Sequence, residues 1–339
     1  MKSSMMKLHC YHRRNYMEDF YIGIDMGGTN IRAITSYGDS KRYSNFLLIP
    51  VVKRQTVELE LKENMFRLIN KLCETEKRHN RKLAGIGIAM AALFDRKLGI
   101  ITEWPNNKKW CDYPIRKILE EQYRVPVLLE DDANAAAIGE LFAGSGRGYR
   151  DIAYITISTG IGSGIIMNGS IVIGNHGWAG EIGHMKVTDE DVVCTCGAKG
   201  CLQAVSSGTA IMKLLKETKA CKRYFAGNSI DLKVIEHLAL NGDEEVKAVY
   251  VKAGFYIGRA IANISMLLDI PIFILGGGVM KIGTLLLDPI QEELNRTLAN
   301  RRKVLIIPST LGDKNGALGA LSLIRESVKK TKEKRKYYE

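Results

Sequence analysis

Four stretches of this chain carry residues whose types and spacing suit chemistry. His184 is followed by Cys194-Thr195-Cys196 and Cys201. One imidazole and three thiolates make a closed, four-coordinate zinc site, structural rather than hydrolytic because no ligand position is left for water. Zinc there would pin the loop that carries Glu181 and His184. Asp25-Met26-Gly27-Gly28-Thr29-Asn30 offers bare backbone amides and a hydroxyl for phosphate oxygens, with a carboxylate suited to hydrated Mg²⁺. Ser158-Thr159-Gly160-Ile161-Gly162-Ser163-Gly164 repeats the device, and two such turns read as a phosphate clamp where one alone could be a tight hairpin. Glu130-Asp131-Asp132-Ala133-Asn134 places carboxylates where a small-residue helix begins, so Asp132 is a candidate to accept a hydroxyl proton. Asp131 and Asp132 could simply cap the helix, but capping alone does not explain two acids beside Glu130, whose mutual repulsion has a cost. Gly276-Gly277-Gly278 is a weaker signal, a bare strand end against which adenine and ribose could lie.

The elements that must hold these groups follow from periodicity. Phe20–Asp25 reads as a buried strand, Ile31–Ser36 as a second and Phe46–Val52 as a third, with a helix over Thr56–Lys77. Leu83–Met90 and Val125–Leu129 are further strands, and Pro114–Tyr123 and Ala133–Phe142 helices. A second cycle opens with strands at Ile152–Ile157 and Gly164–Ile173, the latter with an Asn168-Gly169 hairpin turn. Helices at about 206–217 and 244–268, strands at Ile272–Leu275 and Val304–Pro308, and a closing helix from Lys314 to Val328 complete it. Alternating strands and helices indicate an α/β protein, and a glycine turn after the first strand of each half suggests two related lobes facing one ligand. Neither turn has the Gly-Lys-[Ser/Thr] of a Walker loop, and a strand rather than a helix follows Gly160-x-Gly162, which argues against a dinucleotide fingerprint.

Bulk properties narrow the class. The 339 residues suffice for two cores, and 46% hydrophobic with 25% charged residues is ordinary for a globular protein. No apolar run reaches the roughly 18 residues of a membrane span, and Cys10, Tyr11 and His12 interrupt any signal-peptide core, so a cytoplasmic setting is the default. The net charge of +12 raises the question of nucleic acid, but residues 1–16 and 322–339 contribute +4 each. Charged ends of this kind are usually solvated, and neither a nucleic-acid nor a membrane partner is expected. Seven cysteines, an odd number, with three in one cluster, speak for reduced thiols. Residues 1–16 match no folding element, so translation starting at Met17 is an expectation.

Together the four segments resemble the ROK family of repressors, open reading frames and sugar kinases, over about Tyr21 to Leu321. The resemblance implies a two-lobed actin/hexokinase-like ATPase fold with a structural zinc loop. It also implies a kinase that transfers phosphate from ATP, with Mg²⁺, to the 6-hydroxyl of a free hexose. Glucose or allose is favoured, N-acetylmannosamine is a further candidate, and a homodimer is the family expectation. By position, Asp132 matches the family's catalytic base, and Asn106, Glu181 and His184 its sugar-binding residues, with His184 also a zinc ligand. The nucleotide would lie on Asp25, Gly27, Gly28, Thr29, Asn30, Thr159, Gly160, Gly162, Gly277 and Gly278. Expected boundaries are an extension over 1–17, a small lobe over 18–136 with a helix at about 316–330 packed back on it, a large lobe over 137–315 with the zinc loop at 181–203, and a basic tail over 331–339.

Three positions depart from the family pattern. Asp131 stands where Asn is usual and adds negative charge beside the base, which would raise its pKa. Gln203 stands where a sugar-binding Glu is usual, and Asn107-Lys108-Lys109-Trp110 replaces a more apolar turn. These departures motivate one alternative, a sugar-sensing protein without catalysis. The family's repressors carry an additional helix-turn-helix domain, for which the roughly twenty residues before the first strand are too few.

Overall fold

The computed structural model describes residues 17–27, 30–38, 43–50, 57–104, 110–225, 232–299 and 301–338. The expected extension over residues 1–16, together with Gly28, Thr29 and Asn106, lies outside the described residues.

The chain builds one strand pattern twice. In the first half β1 (Glu18–Met26), β2 (Asn30–Tyr37), β3 (Ser44–Pro50), β4 (Arg81–Met90) and β7 (Val127–Glu130) form a sheet of order β3-β2-β1-β4-β7. β1, β2 and β3 pair antiparallel, whereas β1, β4 and β7 run parallel. A two-stranded hairpin, β5 (Leu93–Asp95) and β6 (Ile100–Glu103), stands apart from it. The second sheet joins β8 (Ile152–Ile157), β9 (Ile161–Met167), β10 (Ser170–Ile171), β11 (Ile272–Gly276) and β12 (Leu305–Pro308) in the order β10-β9-β8-β11-β12. Its pairings are again antiparallel from β8 to β10 and parallel from β8 to β12. The duplicated glycine turns thus mark a duplicated topology. Parallel neighbours need a crossover, and helices supply it in both halves.

Helices α1 (Val57–Lys77) and α2 (Ile115–Tyr123) accompany the first sheet, and α3 (Asp132–Ala143) follows β7. The second half carries α4 (Leu202–Ser206), α5 (Gly208–Glu217), α6 (Lys219–Phe225), α7 (Leu232–Leu240), α8 (Glu244–Leu268) and α9 (Thr284–Leu298). α10 (Asn315–Tyr338) closes the chain. Isoleucine-rich strands, buried on both faces, make each core: Ile22, Ile24, Ile86 and Ile88 with Leu68 and Trp104 in the first, and Ile155, Ile157 and Phe273 with Ile257 and Ile261 in the second. No helix among the described residues is long and apolar enough to cross a membrane.

Several elements differ from the sequence reading. The helix expected at about 206–217 is α5, and the short α4 that precedes it was not expected; between them Ser207 takes an extended backbone and caps α5 by accepting from Ala210 N. The hairpin β5–β6 was not foreseen; its strands are too short for a two-residue period to show. α10 continues to Tyr338, through residues read as a basic tail, because Lys, Glu and Arg are good helix formers and Lys332 pairs with Asp19.

α10 lies on β1 and β4 of the first sheet and also on α3. Small residues permit this approach. A Cβ on Gly319 would fall 1.7 Å from the carbonyl oxygen of Ala135, and one on Gly87 2.0 Å from that of Ala320. Gly319→Ala should therefore lower stability by about 1–3 kcal/mol, although Ala is the better helix former by about 1 kcal/mol. Urea unfolding reads the difference, and an unchanged or raised midpoint would show that the two backbones can move apart.

Candidate functional site

β7 ends at Glu130, and the next residue turns the chain into α3. Asp131 has an extended backbone and accepts from the amides of Ala133 (3.0 Å) and Asn134 (3.2 Å), so its carboxylate caps the helix. Glu130 is also occupied: one of its oxygens accepts from Arg96 (2.6 Å), Asp131 N (3.0 Å) and Asn134 Nδ2 (3.1 Å). Three adjacent acids thus divide their tasks, and Asp132, the first residue of α3, is left for other work.

Burial raises the Asp132 carboxyl, and the nearby charges of Asp25 and then Glu181 raise it further. Burial likewise raises Asp131, with Asp132 adding to it. Asp25, at the end of β1, is pushed up to about 6 by burial, which outweighs the lowering by Arg32. Carboxylates from β1, the start of α3 and the second half therefore converge. Burial makes Asp25, Asp131 and Asp132 resist ionisation until a cation or a hydroxyl donor arrives.

Two cavities border these carboxylates, one at Asp131 and Glu181 and the other at Asp25. One, of 620 Å³, lies between the β5–β6 hairpin, the start of α3 and the loop before Glu181; Arg96, Asp131, Asn134, Ser163, Trp178 and Glu181 line it. Asn134 Oδ1 is buried there without a partner among the described residues. The other, of 390 Å³, is bounded by Asp25, Arg32, Gly277, Gly278, Ser309 and Asp313. Ser158, Gly278 and Lys281 also border a mostly apolar cavity of 870 Å³ walled by Ile211, Met212, Tyr250, Val279 and Ile282. The first cavity suits a polar ligand rich in hydroxyls. The second and third together suit a phosphate chain running into an aromatic base.

The glycines serve in different ways. Gly27 N donates to Asn30 O (3.0 Å), closing the described part of the first turn. In the second turn Ser158 N donates to Gly160 O (2.9 Å), while Gly208 N and Thr209 Oγ1 hold the carbonyls of Ser158 and Thr159. Gly162 is a packing residue, since its Cβ would lie 3.3 Å from that of Ala133 on α3. Gly277 has φ +94° and sits over β8, where a Cβ would come within 2.2 Å of Ile157 O, so only glycine fits. Gly278 faces open space at the border of the two nucleotide-side cavities.

His184, Cys194, Cys196 and Cys201 converge, with all ligand atoms within 4.8 Å of one another. Cys196 and Cys201 sulfurs are 3.8 Å apart, and His184 Nδ1 is 3.7 Å from Cys194 Sγ. A tetrahedron with zinc–sulfur bonds of about 2.3 Å separates its sulfurs by about 3.8 Å. Donor set and spacing therefore fit zinc. The other ring nitrogen of His184 faces Glu181 at 3.9 Å. Gln203 does not reach the hydroxyl-suited cavity: its oxygen accepts from Ile161 N (3.1 Å) and its amide donates to Thr195 (3.3 Å), so it ties the zinc loop to the second glycine turn.

Sequence reasoning missed Arg96 and Trp178. A lone arginine in a hairpin turn carries no signal. Trp178 did carry one, an aromatic among Gly174, Gly177 and Gly180, all with positive φ, just before Glu181. Its ring is 63% exposed at the cavity mouth, whereas Trp104 and Trp110 are buried.

A two-sheet α/β fold of duplicated topology, with Asp131 at a hydroxyl-suited cavity and Asp25 at a phosphate-suited one, defines a sugar-kinase-like ATPase architecture. The profile of the ROK family matches residues 21–327, and the chain belongs to that family. It is 32% identical to a glucokinase of Halalkalibacterium halodurans, over 91% of this chain and 95% of that one. Among solved structures, it superposes on the ROK hexokinase from Thermus thermophilus with a TM-score of 0.78 at 29% identity, covering 92% of this chain and 99% of that one. A ROK family glucokinase from Streptomyces griseus in complex with glucose and AMPPNP gives 0.72 at 29% identity, covering 91% and 99%.

The four-donor cluster predicts one zinc per chain in metal analysis of the purified protein. Chelation or Cys196→Ser should lower the melting temperature by several degrees. Full thermal stability of a zinc-free chain would remove the metal from the account.

Proposed function

We propose that this protein transfers the terminal phosphoryl group of ATP to the 6-hydroxyl of a free hexose, with Asp132 as general base. The observation that carries the reading is the position of Asp132, whose carboxyl feels both Asp25 on the nucleotide side and Glu181 on the other. The similar chain of known ligands was solved with glucose and AMPPNP, so glucose is the first substrate to test; allose and N-acetylmannosamine follow.

Asp132 orients the 6-hydroxyl and takes its proton as the oxygen–phosphorus bond forms and the bond to the ADP leaving oxygen breaks. Glu181 and His184 hold sugar hydroxyls from one wall, with Asn106 assigned to the same task by its place in the sequence. Ser158 and Thr159 of the second glycine turn border the cavities assigned to the phosphates and adenine, the first turn is assigned to the phosphates by its sequence, and Asp25 would hold the hydrated Mg²⁺ that neutralises phosphate charge. Zinc at His184 and the three cysteines would fix the loop bearing Glu181. Two chains are expected to pair as a homodimer.

The regulatory alternative drew on Asp131 and Gln203. Asp131 now has a structural task that Asn performs equally well, so it is no sign of lost catalysis. Gln203 keeps the alternative open to test, because it hydrogen-bonds to Ile161 N.

The direct experiment is ADP release from MgATP across a panel of free hexoses. Turnover on one sugar, reduced about 10²–10⁴-fold in Asp132→Asn, is the expected result. Silence on every sugar by zinc-replete, folded protein would leave the sensing role. A second prediction concerns pH. The base works as carboxylate, and burial raises its pKa, so kcat should fall on acidification at a pH above the ordinary aspartate value of about 3.9. Asp131→Asn retains the cap, and because Asp25 and Glu181 rather than Asp131 are the charges that raise Asp132, that acid limb should stay within about half a pH unit of the parent's. A limb that moves well downward would mean that the Asp131 charge does bear on the base.

A further inference from the structure

The first glycine turn carries a cation that the phosphate reading does not use. Arg32 on β2 stands directly across from Asp25 on β1 in the antiparallel register. One terminal nitrogen lies 3.3 Å from Asp25 Oδ2 and the other 3.5 Å from Asp313 Oδ2. The first of these nitrogens is also 3.5 Å from where a Cβ on Gly27 would sit, so the guanidinium rests against the glycine turn itself. Its side chain is only 16% exposed, and it borders the 390 Å³ cavity with Gly277, Gly278 and Ser309. Arg32 Nε is buried without a hydrogen-bond partner among the described residues.

This is a poorly satisfied ion pair for so enclosed a place. A guanidinium offers five donors in a planar fork. Among the described residues it has one long hydrogen bond to Asp25 and a looser approach to Asp313, a side chain 76% exposed. If Arg32 served only to neutralise Asp25, tight two-point pairing would be expected, since desolvating both charges is repaid only by good geometry. The carboxyl of Asp25 in fact remains raised, to about 6. Among the described residues the arginine lacks a full set of acceptors, and it borders the cavity. Phosphate oxygens, like a carboxylate in two-point geometry, match a guanidinium fork in charge and spacing.

We propose that Arg32 is a catalytic residue that binds the phosphate chain of ATP, exchanging Asp25 for phosphate oxygens when the nucleotide enters. Asp25 is released by the same exchange to take the hydrated cation, so the arginine acts as its placeholder in the nucleotide-free protein. Asp313, at the turn Gly312–Lys314 just before α10, returns to solvent. The inference rests on the kinase reading and adds a residue to it.

The test uses the full-length, zinc-replete chain and its variants Arg32→Met and Arg32→Lys. Calorimetric titration with MgATP and with MgADP reads nucleotide affinity, glucose titration followed by Trp178 fluorescence reads the sugar side, and steady-state kinetics give kcat and KM for ATP. Arg32→Met should lower kcat/KM for ATP about a hundredfold, weaken MgATP more than MgADP, and leave glucose affinity and melting temperature near those of the parent. Arg32→Lys should restore part of the loss, because the charge returns without the fork. Parental MgATP affinity and kinetics in Arg32→Met would overturn the assignment, as would an equal loss of glucose and ATP affinity with a lowered melting temperature in both variants. A parent chain that binds no MgATP at all would instead sink the kinase reading, and this proposal with it.

Discussion

Backbone rests on backbone where α10 crosses α3, with Gly319 against the carbonyl of Ala135, and the arrangement of the site depends on that contact. α10 also lies on β1 and β4, while α3 packs on β8 and β9, so the crossed pair joins the first sheet to the second. The first turn of α10 reaches both sides: Gly316 sits beside the Asp25 carboxyl, and Asn315 donates to the hydroxyl of Tyr154 on β8 at 2.7 Å. Asp132 begins α3 and Asp25 ends β1, so the spacing of these two carboxylates follows from the same contact. Bulk at this crossing would displace acid groups as well as lower stability.

The second constraint is electrostatic. Burial works against ionisation of Asp25, Asp131 and Asp132 at once. Backbone amides relieve Asp131, a guanidinium partly relieves Asp25, and Arg96 does so for the neighbouring Glu130. A buried cluster of one charge sign is costly to stability, and it is the arrangement that gives a site high affinity for cations and hydroxyl donors. The loop bearing Glu181 has no such helical support of its own; the zinc-type cluster beside it and Gln203 link it to the second glycine turn.

Much of this was legible in the chain itself. Most strand and helix positions followed from apolar periodicity, although α6 and α7 were not read and β9 begins at Ile161 rather than Gly164, and the two glycine turns disclosed the duplication before the sheets showed it. The donors His184, Cys194, Cys196 and Cys201 were evident because metal ligation restricts both residue type and spacing. Less legible were elements too short to show a period, such as β5 and β6, and pairs distant in sequence, such as Arg96 with Glu130 and Arg32 with Asp313.

The division has a physical cause. The sequence by itself determined what depends on residue type and near neighbours: the strands, the helix caps, the turns that need glycine and the metal-type donor set. Only the tertiary structure decided what depends on which distant groups meet. It paired Arg96 with Glu130, turned Gln203 towards Ile161 and set Arg32 against Gly27 and Asp313. Hydrogen bonds and ion pairs act over a few ångströms, and the distances that govern them are set by how the two sheets and the crossed helices pack, which no local pattern of residues encodes.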